Sequence, residues 1–252
     1  MRLTGHHAFI TGGGTGIGAA IARALGAEGA RLTLVGRRRD KLDAVAAELN
    51  ALAAPGDVTR SDELEACFAA GRARHGPVTI LVNNAGGSRS APFARVTREL
   101  WRQTMALNLD AVFDCCQAAL PDLLAAESGR IVTISSIAGM KPYPYVAPYV
   151  AAKHGVIGLT RALALELIRT RVTANAVCPG FTDTDLVAES IATIQAKTGR
   201  SEAEARAEIE KYNPQGGMIA PREIAAAVLW LCLPESRAVT GQSIVVAGGE
   251  IM

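Results

Sequence analysis

The run His7-Ala8-Phe9-Ile10 passes straight into Thr11-Gly12-Gly13-Gly14-Thr15-Gly16-Ile17-Gly18, and the following AAIARALGAEGA carries apolar residues at helical spacing before a glycine-rich stop. A short buried strand, a glycine turn and a helix in that order leave the chain few options. Glycines let the backbone approach a ligand closely, and a helix start offers free N–H groups and the positive end of its dipole, so the unit suits a pyrophosphate. A G-x-G-x-x-A pattern can be laid on Gly14, Gly16 and Ala19, but T-G-x-x-x-G-x-G on Thr11, Gly12, Gly16 and Gly18 describes the stretch better. Taken alone, the same residues also fit a tight strand–helix turn with no ligand.

The rest of the chain repeats the alternation. Apolar strands are predicted at residues 31–36, 78–82, 130–134, 172–177 and 243–246, with helices over 37–50, 61–75, 97–121, about 149–170 and 221–232. Ser61 is a plausible N-cap for the second of these helices. Strands alternating with helices predict an α/β fold, a doubly wound parallel sheet of Rossmann type forming one domain over residues 1–252. Two amphipathic segments between residues 185 and 212 interrupt the pattern, and residues 183–218 are expected to form a helical lid over the site, with a partner-facing helical pair as the alternative. In such a sheet, ligands sit at the C-terminal strand ends.

Composition narrows the function. At 252 residues and 49% hydrophobic, the chain can bury a large core. With 26 basic and 24 acidic residues, the net charge of +2 gives no electrostatic case for nucleic acid or an anionic membrane. No apolar run is long enough to span a bilayer, and the N-terminus lacks the apolar region of a signal peptide, so a cytoplasmic location is expected. Cys67, Cys115, Cys116, Cys178 and Cys232 are odd in number and show no C-x-x-C spacing, and the four histidines form no H-E-x-x-H cluster. No disulfide framework and no metal site is expected.

The end of the second strand bears on the coenzyme. A carboxylate there would bind the ribose hydroxyls of NAD, but this chain has Gly36 followed by Arg37-Arg38-Arg39. Guanidinium groups suit a 2′-phosphate, which favours NADP(H) over NAD(H), with Arg37 the first contact and Arg38 the next. Arg39 fits a solvated helix start. Asp57, followed by Val58, is placed to accept a bond from the adenine amino group. The strand before Asn83-Asn84-Ala85-Gly86 ends in small residues over which a cofactor can lie, although Asn83 could also serve the sheet. Asn108 falls inside a helix, where its amide competes with backbone bonds, so it is either exposed or holds a group near the site.

The chemistry centres on Tyr149-Val150-Ala151-Ala152-Lys153, with Ser136 thirteen residues upstream. If Tyr149 opens a helix, Lys153 lies one turn on along the same face. A phenol titrates near pH ~10, and a fixed ammonium one turn away is expected to lower that value. Such a tyrosine can give or take a proton at a carbonyl or alcohol oxygen, and a serine hydroxyl can hold the same oxygen. Alone, the pair is as often an ordinary helix-surface contact.

Together these stretches resemble the single-domain short-chain dehydrogenases/reductases over essentially the full chain: TGGGTGIG, Asp57, NNAG, Asn108, Ser136, Tyr149-x-x-x-Lys153 and PGFTDT at residues 179–184. The resemblance implies that Tyr149 is the proton donor or acceptor and that Ser136, which heads the S-x-x-G form, orients the substrate oxygen. It implies that Lys153 binds the nicotinamide ribose and lowers the tyrosine pKa, while Asn108 supports a water in a proton relay. Gly12, Gly16, Ile17, Gly18, Asn84, Ala85, Gly86, Pro179, Gly180, Thr182 and Thr184 would line the cofactor. Thr15 belongs to the same turn and stands where some NADP-preferring members carry a second basic residue, so the preference rests on the Arg37 region. Tyr143 and Tyr145 would be pocket walls, and residues 87–93, 140–146, Phe181 and 185–218 would shape the substrate pocket. Residues 175–184 and VTGQSIVVAGG are similar to 3-oxoacyl-thioester and polyketide ketoreductases. The expected activity is therefore reduction of a 3-oxoacyl thioester, the alternatives being a dehydrogenase of cyclic or aromatic secondary alcohols and a non-catalytic dinucleotide-binding regulator. A homotetramer, or less often a dimer, is implied.

Overall fold

The computed structural model describes Met1 to Ile251, with Leu186 described through its backbone only. Seven strands form one sheet: β1 (His7–Thr11), β2 (Arg31–Gly36), β3 (Leu52–Pro55), β4 (Ile80–Asn83), β5 (Gly129–Ile134), β6 (Val172–Pro179) and β7 (Ser243–Val246). Every neighbouring pair is parallel, in the order β3-β2-β1-β4-β5-β6-β7. The order reverses between β1 and β4, which opens a crevice at their C-terminal ends.

Among the described residues, nine α-helices connect the strands: α1 (Gly16–Ala27), α2 (Arg39–Leu49), α3 (Ser61–His75), α4 (Arg98–Met105), α5 (Ala111–Ala125), α6 (Ala147–Glu166), α7 (Asp185–Thr198), α8 (Glu202–Glu210) and α9 (Pro221–Cys232). Side chains alternate across a strand, and the two faces are covered accordingly. Ala8, Ile10, Leu32, Leu34, Ile80, Val82, Val132 and Ile134 share one apolar cluster with α1 and α9. Phe9, Val35, Leu81 and Ile131 share the other with α3, α5 and α6. Phe9 stacks on Phe68 with ring centroids 3.9 Å apart, and burying each ring contributes roughly 1.5–3 kcal/mol.

Three expectations need correction. The helix predicted over 97–121 is two helices, joined by a π-helical segment at Ala106–Asp110, and α5 runs through Pro121 to Ala125. Asn108 causes the break by bonding backbone groups outside the ladder, while the fully buried Leu123 draws the helix on past the proline. Arg60, not Ser61, is the N-cap of α3, and its extended backbone leaves Ser61 as the first helical residue. The helix expected from Arg37 begins at Arg39, leaving Arg37 and Arg38 on non-helical backbone at the crevice.

Helices α7 and α8 stand apart from the sheet. Val187, Ile191, Ala205 and Ile209 bury against one another, with Phe181, Ile194 and Met218 alongside, in a small cluster of their own. The excursion leaves and re-enters at one point: Thr182 and Ile219 bridge in parallel, with Asp183 N donating to Ile219 O at 2.9 Å and Ile219 N to Phe181 O at 2.9 Å.

One buried histidine makes stability pH-dependent. His7 is fully buried, its Nε2 2.8 Å from Thr33 Oγ1 and its Nδ1 2.8 Å from Gly76 O. Burial pushes its pKa down from 6.5 to about 4. The unfolded chain takes up that proton near pH ~6.5, so stability present above this value is lost as pH falls toward about 4. From pH 7 to pH 5 the expected loss from this group is about 2 kcal/mol. Urea unfolding at the two pH values checks it, with His7→Gln narrowing the difference.

Candidate active site

The crevice is a cleft of 840 Å³ lined by residues from the glycine turn, the ends of β2, β3 and β4, α4 with the π-helical segment, and the first turns of α7. At its floor the glycine turn is held on both sides: Gly13 N donates to Val35 O at 3.2 Å, and Asn84 Nδ2 donates to Thr11 O at 2.9 Å and Gly12 O at 3.2 Å. Thr11 Oγ1 in turn accepts from the amides of Asn84 and Ala85 at 2.9 Å. Gly12 and Gly16 adopt positive φ, +66° and +51°, where a side chain is strained. Thr15 is the N-cap of α1 but makes no side-chain cap bond, and the first intrahelical bond is Ala19 N to Thr15 O. The amides of Gly16, Ile17 and Gly18 precede it, beside the cleft. This cradle fits a pyrophosphate.

Gly18 does not line the cleft. A Cβ there would fall 2.1 Å from Gly12 O and 2.6 Å from Asn84 Nδ2, so its smallness lets α1 pack under the turn. Of the other residues singled out in the sequence, Arg37, Arg38, Asp57, Val58, Ala85, Gly86 and Thr184 line the cleft with Gly12, Thr15, Gly16, Ile17 and Asn84. Arg37 Nη1 lies 3.8 Å from Asp57 Oδ2. Asp57 Oδ1 already accepts from Thr59 N at 3.0 Å and Thr59 Oγ1 at 2.8 Å, which holds its carboxyl below the ordinary value against the opposing effect of burial. Pro179, Gly180 and Thr182 lie away from this lining. Pro179 ends β6, Gly180 packs so closely on Ala247 that a Cβ would meet it at 3.0 Å, and the Thr182 hydroxyl donates to Gly180 O at 3.0 Å. Asn83 turns its amide into the protein, toward Cys116 Sγ and Thr133 Oγ1.

Beside the cleft, and not among the residues that line it, β5 delivers Ser135 and Ser136 and α6 delivers Tyr149 and Lys153. Ser135 Oγ donates to Lys153 O at 3.2 Å and is buried. Ser136 is the one beside the phenol, where its hydroxyl favours the phenolate, and it also accepts from Ala138 N at 3.1 Å. Lys153 is 3% exposed; its Nζ donates to Ile134 O at 2.9 Å and lies 5.6 Å from the Tyr149 ring centre. Burial pushes the ammonium down to about 8. Tyr149 corrects an expectation: burial outweighs the Ser136 contact, and the phenol sits above, not below, its ordinary value. The ammonium's bond is with a backbone carbonyl rather than the phenol oxygen.

Asn108 is fully buried and joins the two halves. Its Nδ2 donates to Gly87 O and Thr104 O, each at 3.0 Å, and its Oδ1 accepts from Gly87 N at 3.2 Å. A Cβ on Gly86 would meet Asn108 Oδ1 at 3.0 Å and Lys153 Nζ at 3.6 Å, so a glycine is what lets this strand end reach both. On the far side, Phe181 packs on Tyr143 and Tyr212, with ring centres 6.2 and 5.5 Å away. Tyr143 donates to Glu250, which also pairs with Lys141 at 3.0 Å. Tyr145 is mostly exposed, at φ +69°. Ser88, Arg89 and Glu189, which fall in the segments expected to shape the substrate pocket, line the cleft, and so do Lys41, Thr59 and Gln103, which the sequence reading missed. They share no motif and come together only through the fold. Among the described residues no group of His, Cys, Asp or Glu could hold a metal, and no helix is long and apolar enough to cross a membrane.

Comparison with known proteins agrees with this arrangement of fold and site. A model of the short chain dehydrogenase family matches residues 6–195, and the chain belongs to that family. It is therefore an oxidoreductase acting on CH–OH groups. A ketoacyl reductase assigned to the granaticin polyketide synthase of Streptomyces violaceoruber is 41% identical over 250 residues, covering 96% of this chain and 92% of that one. The 3β-hydroxysteroid dehydrogenase of Mediterraneibacter gnavus is 34% identical over 257 residues, covering 96% and 93%. The crystal structure of a point variant of the actinorhodin polyketide ketoreductase with NADPH superposes with a TM-score of 0.94 at 38% identity, covering 99% of this chain and 98% of that one.

Proposed function

We propose that the protein is an NADP(H)-dependent ketoreductase of the cytoplasm that reduces the 3-keto group of an acyl thioester on coenzyme A or an acyl carrier. The observation that carries it is the nearness of two features: a cleft that holds Arg37 and Arg38 with no carboxylate ending β2, and, next to it across Gly86, the group of Ser136, Tyr149 and Lys153. The likeness to polyketide ketoreductases, one of them with NADPH, supports both halves.

When bound, the coenzyme supplies a hydride. The glycine turn and the α1 amides would hold its pyrophosphate, Arg37 and Arg38 its 2′-phosphate, and Asp57 and Val58 its adenine. Pro179, Gly180, Thr182 and Thr184 would lie around its adenosine and nicotinamide. Ser136 holds the substrate oxygen, and Tyr149 gives it a proton. A phenol held above its ordinary value stays protonated at neutral pH, which suits a donor in carbonyl reduction. Lys153, whose ammonium donates to Ile134 O, would bind the coenzyme's ribose. The Asn108 side chain is fully engaged with Gly87 and Thr104, so a relay water there would fall to its backbone carbonyl in the π-helical segment. Helices α7 and α8 act as the lid. Exposed Phe113, Leu165 and Ile168 on and beside α5 and α6 favour assembly into a homotetramer.

The test is NADPH oxidation with acetoacetyl-CoA, run beside NADH. Fast turnover with NADPH and little with NADH is the expected result. NADPH binding without thioester turnover overturns the thioester assignment, and a preference for NADH overturns the Arg37 assignment. One observation favours a second reading: Tyr143, Phe181 and Tyr212 cluster together, and an aromatic wall suits a cyclic or aromatic secondary alcohol, in line with the likeness to a hydroxysteroid dehydrogenase.

A further inference from the structure

Arg38 and Asp185 are 147 residues apart in sequence, yet they meet at the mouth of the cleft. Arg38 Nη2 donates to Thr15 Oγ1 at 2.8 Å, and both Nη1 and Nη2 stand 3.4 Å from one Asp185 oxygen. Asp185 is the first residue of α7, and a Cβ on Gly16 would lie 3.1 Å from Thr184 Cγ2, so the base of α7 rests on the glycine turn. Glu189, one turn further along α7, lines the same cleft. The guanidinium assigned above to a 2′-phosphate is therefore already bonded to a carboxylate of a different element.

We propose that Asp185 is a positioning residue for coenzyme selectivity: it holds the Arg38 guanidinium over the glycine turn and competes with a 2′-phosphate for it. The inference rests on the NADP(H) reading above. The pair is exposed on both sides, 57% for Arg38 and 64% for Asp185, so its hold is weak. A phosphate monoester carries close to two charges and accepts the planar guanidinium fork bidentately, so it displaces the carboxylate. An adenosine without that phosphate leaves the pair in place. Asp185 thus reduces affinity for 2′-phosphorylated ligands alone, and the chain's discrimination is smaller than its two arginines would otherwise give. Arg37, 3.8 Å from Asp57, is less closely held.

The experiment is calorimetric titration of the full-length protein with adenosine 2′,5′-bisphosphate and with 5′-AMP, which differ only in the 2′-phosphate. Wild type is expected to bind the bisphosphate more tightly. Asp185→Asn, an exposed substitution, is expected to tighten bisphosphate binding by roughly threefold to fivefold, the size of a surface ion pair, and to leave 5′-AMP within about twofold. Asp185→Glu restores the wild-type ratio. An unchanged bisphosphate affinity in Asp185→Asn overturns the proposal, as does an equal shift for both ligands, which a merely structural role would give. Equal affinity of wild type for the two ligands overturns the NADP(H) reading instead, and the proposal with it.

Discussion

Tyr149→Phe is expected to lose carbonyl reduction by about two to four orders of magnitude in kcat, the usual contribution of a positioned proton donor, while NADPH binding stays within a few-fold. The substitution deletes one oxygen. The ring stays on α6, 5.6 Å from the Lys153 ammonium, and the ammonium keeps its bond to Ile134 O, so the coenzyme side of the site is unaltered. What disappears is the phenol hydroxyl beside Ser136, with its raised pKa, and with it the proton for the developing alkoxide. Single-turnover kinetics, with NADPH fluorescence titration alongside, separate the two effects. A variant of near-native rate would remove Tyr149 from the chemistry.

Gly18→Ala is expected to weaken coenzyme binding at least tenfold and to destabilise the fold by about 1–3 kcal/mol, the usual cost of overpacking. The added carbon would stand 2.1 Å from Gly12 O and 2.6 Å from Asn84 Nδ2. The first is backbone and cannot swing away. Relief requires α1 to move off the turn and Asn84 to shift from Thr11 and Gly12, which displaces the amides beside the cleft. Thermal unfolding and NADPH titration read the two losses separately; at roughly 2–4 °C per kcal/mol for a chain this long, the first is a shift of several degrees. An unchanged midpoint with native affinity would show that the turn tolerates the methyl group.

The parts that sequence made legible are those set by local physics. Apolar runs such as His7 to Ile10, bounded by glycines, announced the strands, and their parallel order follows from the intervening helices. The Tyr149 and Lys153 pairing was legible because helical spacing alone brings the two onto one face. The break at Asn108 was half visible: an amide inside a helix called for a reason, but its partner Gly87, 21 residues earlier, is brought to it only by the fold. The phenol's pKa was misjudged because sequence shows which charges are near but not how much water is excluded. The Arg38–Asp185 contact was invisible because nothing in the sequence marks Asp185 and only the return of the chain after β6 brings it to Arg38.

The excursion of α7 and α8 enters and leaves the fold at a single bridge between Thr182 and Ile219 and keeps a small core of its own. Opening it requires no strand to leave the sheet, because its core is separate from the two large clusters. This segment therefore belongs to a separate, lower rung of cooperativity: it can come loose and reseat many times within one lifetime of the folded sheet. It can also accumulate changes in length and side chains while the surroundings of Ser136, Tyr149 and Lys153 on β5 and α6 stay under unaltered structural constraint.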